Sequence, residues 1–147
     1  MADVLDQLVE HWRRQRVAPA TVTATSEDIV QWEEKFGVKL PLDLREYVTR
    51  VNGTFAGEEL EFGEDMMSFL PLSAMVPEPQ WSKYHHEPGL FVIVDYLISS
   101  HWWCVRLTPD VEEHTQVFVR GTRLKLVASS LEEFLLAYMS DSRTIHP

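Results

Sequence analysis

The 147-residue chain carries 23 acidic against 13 basic residues, a formal net charge of −10, and a surface of that sign repels nucleic acid and anionic lipid and argues against both as partners. Its 45% hydrophobic and 24% charged residues are ordinary globular proportions, which exclude a disordered or fibrous chain and allow a core that needs neither disulfide nor metal. The single cysteine, Cys104, excludes an internal disulfide, and apolar runs such as Leu90 to Val94 are far shorter than the ~20 residues of a membrane-spanning helix.

Val4, Leu5, Leu8, Val9 and Trp12 recur at helical spacing and predict a first amphipathic helix from Asp3 to about Arg16, with Arg13, Arg14 and Arg16 near its negative end. After Pro19 a polar connector reaches Thr25 and Ser26, either of which can cap a second helix that starts near Glu27. Ile29, Trp32 and Phe36 form the stripe of that helix, and Gly37 supplies the left-handed residue that closes it. Pro41 suits the first position of a third helix, whose stripe is Leu44, Tyr47, Val48 and Val51 and whose exit is Asn52-Gly53. Beyond Thr54 the period shifts toward two. Short strands are expected around Glu59 to Phe62 and Met67 to Leu70, a central strand at Leu90 to Val94, and further strands at Trp102 to Leu107 and Gln116 to Arg120 around the turn residues Thr108, Pro109 and Asp110. Ser130 and Glu133 have capping-box spacing ahead of a last helix carrying Leu131, Phe134, Leu135, Tyr138 and Met139. Helices, then a run of strands, then one helix make an α+β fold, in which a mixed or mainly antiparallel sheet carries a packed C-terminal helix. With no repeat, low-complexity tract or linker, residues 1–147 are expected to form one domain. No basic start runs into an apolar stretch and a small-residue cleavage site, so the expected location is the cytoplasm.

The stretch from Ile29 to Gly53 carries a recognisable pattern: Ile29, Glu33, Gly37, Leu40-Pro41, Tyr47 and Asn52-Gly53. Asp95-Tyr96 follows an apolar strand, and Val127 to Leu135 reads Val-Ala-Ser-Ser-Leu-Glu-Glu-Phe-Leu. Together these resemble the SUKH superfamily over most of the chain. Gly37, Pro41 and Asn52-Gly53 also have purely structural accounts, so the pattern specifies a fold before it specifies a role. The resemblance implies a sheet with helices packed on it and a superfamily whose bacterial members largely neutralise polymorphic toxins, including nucleases, whereas fungal members regulate cell-wall synthesis.

Catalytic and metal readings find few residues. His85 and His86 are adjacent, and side chains adjacent in an extended segment point to opposite sides, so no zinc site is expected there. Cys104 and His101 are three residues apart on one strand and fall on opposite faces, which denies the thiol a base. No phosphate loop or nucleophile elbow occurs. No enzyme activity, cofactor or metal is therefore expected.

Binding residues are better represented. No Lys or Arg occurs between Val51 and Ser82, where Glu58, Glu59, Glu61, Glu64, Asp65 and Glu78 cluster; the segment is either a solubilising surface or a steering surface for a basic partner. Trp102 shares a strand face with Arg106 and is an interface aromatic unless a helix covers that face, while Trp81, just after Pro77 and Pro79, is a loop-mounted anchor or a packed staple. Joined to the resemblance, these residues lead to the expectation of a monomeric or weakly self-associating immunity protein. Its partner would be the basic toxic domain of a cognate toxin, and the alternative is a general protein-interaction or regulatory module of the same fold.

Overall fold

The computed structural model describes residues 1–54, 65–79, 87–97 and 100–147. These form helices α1 (Ala2–Arg14), α2 (Ser26–Phe36) and α3 (Leu42–Arg50), strands β1 (Met67–Phe69), β2 (Leu90–Tyr96), β3 (His101–Arg106), β4 (Val117–Arg120) and β5 (Leu124–Ala128), and helix α4 (Leu131–Met139). Short 3-10 turns occupy Leu72–Ala74 and Arg143–Ile145. The fold is α+β. The sheet is an antiparallel meander in the order β1-β2-β3-β4-β5. Leu90 to Val94 lies in β2, an interior strand buried on both faces, and β3 holds the middle place. The expected strand at Glu59 to Phe62 lies outside the described residues. β5, which was not expected, is a half-exposed edge whose Lys125 and Leu126 face out of the core.

The helices begin and end where local chemistry directs. Thr25 accepts a hydrogen bond from the Asp28 amide at 3.1 Å while the Asp28 carboxylate accepts one from the Thr25 amide at 2.8 Å, a reciprocal cap at the start of α2. Gly37 closes α2 at φ +68°. Pro41 sits just before α3 in an extended conformation rather than inside it. Ser130 accepts from the Glu133 amide and starts α4.

The corner between α2 and α3 is held by one carboxylate. Glu33 is 4% exposed, and its Oε2 accepts from the Leu40 amide at 2.7 Å and from the Arg45 guanidinium at 3.1 Å. Asp43 does the equivalent for the far end of the molecule: it accepts from the Thr115 amide and hydroxyl and from the Leu131 amide, joining α3 to the β3–β4 loop and to the start of α4. Asn52, left-handed at φ +60°, donates to the Val22 carbonyl and accepts from the Leu72 amide.

Register divides the sheet cleanly into two faces. Phe69, Phe91, Val94, Trp103, Val105, Val117 and Val119 share one face, which the helices cover. Trp12 of α1 lies 5.1 Å from Phe69, Trp32 of α2 lies 5.2 Å from Phe91, and Phe134 of α4 lies 6.3 Å from Trp103, measured between ring centroids. Each fully buried side chain of this size contributes roughly 1.5–3 kcal/mol of transfer free energy. The other face carries Ser68, Leu90, Val92, Asp95, Trp102, Cys104, Arg106, Phe118 and Arg120. Past β1 the chain makes the 3-10 turn under α2, where Met75 accepts from the Trp32 indole, and then returns to the edge of β2: Val92 donates to Val76 and Glu78 donates to Leu90. Pro77 lies at this edge, where its missing N–H is harmless.

Two glycines separate backbone strain from collision. A Cβ at Gly37 would meet nothing within 4 Å, so Gly37→Val is expected to cost only the left-handed strain, on the order of 1 kcal/mol. A Cβ at Gly53, also left-handed at φ +84°, would sit 2.5 Å from the Phe69 carbonyl oxygen. Gly53→Ala should therefore lower the urea midpoint clearly more than Gly37→Val, and equal midpoints for the two variants would contradict this account.

Candidate functional site

The sheet face opposite the helices is polar at its centre. Glu78, brought to the β2 edge by its amide bond to Leu90, extends its carboxylate to Arg120 of β4, which donates through Nε and Nη2, and to the Trp102 indole at 3.1 Å. Glu78 and Arg120 are each 5% exposed, so this is a buried ion pair with a tryptophan as a third member. Beside it, the exposed Arg106 lies 5.0 Å over the Phe118 ring and pairs with Glu87 at 2.8 Å. The face thus alternates carboxylate, guanidinium and aromatic ring, a set suited to holding loops and recognising protein rather than to bond chemistry.

This geometry relocates several residues singled out in the sequence. Glu78 is not part of a solvated acidic surface; it is buried and neutralised by Arg120, a partner 42 residues away. Trp102 does share its face with Arg106, yet it is 4% exposed with its N–H satisfied by Glu78, so it is buried here rather than presented to solvent. Asp65 is partly buried, with one carboxylate oxygen accepting from the Met67 amide at 3.0 Å and the other from the Tyr138 hydroxyl at 2.6 Å. Glu58, Glu59, Glu61, Glu64, Trp81, His85 and His86 lie outside the described residues. Cys104 and His101 fall on opposite faces, and burial pushes the Cys104 thiol well above its usual range. Among the described residues no group of three His, Cys, Asp or Glu is placed to hold a metal.

The helical face and the antiparallel meander make an α+β fold with a buried ion pair on the far face of its sheet. The SMI1 / KNR4 family (SUKH-1) matches residues 23–137, and the chain belongs to that family. No curated protein matches the chain significantly. Membership is consistent with an immunity or regulatory role exercised through protein contacts. No helix among the described residues is long and apolar enough to cross a membrane.

Arg120 could not be foreseen as the mate of Glu78, because the pairing depends on how three neighbouring strands stack in space. The one available signal was an arginine ending a strand that otherwise reads Val117, Phe118, Val119.

Removing one member of a buried pair strands a charge. Glu78→Leu or Arg120→Met alone should each cost about 3–5 kcal/mol in urea unfolding, and the double variant should recover most of that loss. A simple sum of the two single losses would show that the groups are not coupled.

Two histidines report on pH. Burial lowers the affinity of His11 and of His101 for a proton from the ordinary 6.5, and His146 adds to the effect at His101. The unfolded chain then binds protons more readily than the folded one, so stability falls as pH drops below about 6.5 and levels off below the folded values. The urea midpoint should accordingly decrease between pH 7.5 and pH 5, and His101→Phe should make that slope shallower. An identical slope would remove His101 from the account.

Proposed function

We propose that this protein is an immunity protein that binds and neutralises a cognate bacterial polymorphic toxin in the cytoplasm, as a monomer or weak homo-oligomer folded as one domain, without catalysis or cofactor. The partner surface is the acidic stretch Glu58, Glu59, Glu61 and Glu64 together with Trp81. Asp65 and Trp102 belong to the same proposed partner-binding set, Asp65 held by Tyr138 and Trp102 by Glu78. The observation that carries this reading is the cation-free run from Val51 to Ser82 in a chain of net charge −10, within which Asp65 is held by Tyr138 of α4 and Glu78 by Arg120 of β4. Family membership supports it. A carboxylate-rich segment offers negative charge to a basic toxin domain, so it speeds encounter and orients it, while an aromatic such as Trp81 lengthens residence.

The test uses the toxic domain that this reading expects to be encoded beside the gene. Replacing Glu58, Glu59, Glu61 and Glu64 together by Gln should slow association by about tenfold or more at low salt, with the difference shrinking as salt rises over a Debye length of about 10 Å at 0.1 M. Thermal stability should hardly change, because charges that only steer encounter contribute little to the fold. Asp65 is left intact in this variant, since it also holds Tyr138. Equal association rates at every salt concentration would return the stretch to a solubilising role. Failure of the toxin domain to bind the unaltered protein would favour the regulatory-module reading.

A further inference from the structure

A cleft of about 450 Å³ opens where the C-terminal ends of α1 and α4 meet the end of the sheet formed by β1 and β2. It is lined by the carboxylates of Asp65 and Asp141, the amide of Gln15, the rings of Tyr96 and Tyr138, and His11. The Gln15 Oε1 is buried and has no hydrogen-bond partner. Tyr138 holds Asp65 in place through its hydroxyl, and His11 packs edge-on against the Tyr138 ring at 5.0 Å. No Lys or Arg is among the described residues that line the cleft. Arg14 acts on His11 electrostatically but is not part of the lining.

We infer that this cleft is an anchoring pocket for an arginine side chain of the protein partner, the carboxylates and the Gln15 oxygen accepting its N–H donors and a tyrosine ring stacking on its plane. The inference rests on the reading above that the partner is a basic protein. Guanidinium is the cation that best fits the lining, because it spreads five donors over a flat group that pairs with carboxylates and stacks on aromatics, whereas an ammonium uses only a point charge. An anion is disfavoured by two carboxylates with no Lys or Arg among the described lining residues. Burial lowers the affinity of His11 for a proton.

The rim points to a macromolecule rather than a free small molecule. Met66, between Asp65 and Met67, and Leu97, directly after Tyr96, are 46% and 45% exposed. The Leu97 amide donates to the Met66 carbonyl at 3.1 Å, so the two residues are backbone neighbours directly beside the lining residues Asp65, Met67 and Tyr96. Both hold left-handed backbone, at φ +63° and +47°, a conformation that costs such residues of order 1–3 kcal/mol and collects at binding sites. An apolar pair at the lip of an acidic cleft is the arrangement that receives an arginine flanked by apolar partner surface.

The experiment is a titration of the isotopically labelled whole protein, followed by NMR, with the peptide acetyl-Gly-Arg-Gly-amide, its citrulline counterpart, and free arginine. The arginine peptide should give saturable shifts at the Gln15 side-chain amide and around Tyr96 and Tyr138, and citrulline, the neutral isostere, should bind at least about tenfold more weakly. Asp141→Asn, which suits the left-handed backbone at that position (φ +55°), and Gln15→Met should each weaken the peptide with the remaining spectrum unchanged. No saturable shift, or equal binding of the citrulline peptide, overturns the pocket. Free arginine binding more tightly than the peptide would reassign it to a small molecule and overturn the partner role. If the toxin domain binds both variants as it binds the unaltered protein, the pocket fails while the immunity reading stands; if the peptide binds and no toxin domain does, the reverse holds.

Discussion

The buried carboxylate of Glu33 is the interaction on which the helical layer depends. The chain leaves α2 at Gly37 and must enter α3 within a few residues, which leaves the Leu40 amide pointing inward with no carbonyl to receive it. Glu33 receives it, and Arg45 from the next helix supplies the countercharge. Leu40 and Leu44 can then be fully buried, and Trp32 and Phe36 are aimed at Phe91 on the sheet. An unanswered amide or an isolated carboxylate at that depth would each cost several times the free energy of an ordinary surface contact. The same device recurs with Asp43 and Asn52, so polar side chains fix the angles between elements and apolar ones fill the space between them.

Much of this was legible in the sequence because it is local. Thr25, Gly37 and Ser130 punctuate the chain through bonds that span three or four residues, Asn52-Gly53 marks its turn by residue type, and the periods of α1, α2 and α4 follow directly from side-chain geometry. What was not legible depends on distant neighbours. β5 is an edge strand with only one fully buried residue, Ala128, so its apolar pattern is weak. Glu78 looked like one more surface acid because nothing near it in sequence betrays Arg120. Trp102 was correctly assigned to a face, but whether that face is covered is a tertiary fact. Asp65 belonged to the acidic stretch by composition and to the fold by its bond to Tyr138.

The two faces of the sheet divide the work. The helical face holds the apolar mass and has little chemistry to offer, whereas the opposite face and the end of the sheet carry the fixed charges. A protein that acts by contact needs such a division: charges presented to a partner must not move when the partner arrives, or the gain from pairing is spent on ordering them. Ion pairs set behind the surface, as between Glu78 and Arg120, supply that rigidity without themselves being available to a partner.

Cys104 sits in the middle strand with no accessible surface and a thiol whose ionisation is suppressed by burial. Its side chain projects from the sheet face that carries Phe118 and the Glu78–Arg120 pair, so the packing over that face, and not the strand pairing itself, shields the sulfur. The rate at which the intact protein is alkylated therefore measures how often that packing opens. The chain carries its own clock for the uncovering of that face.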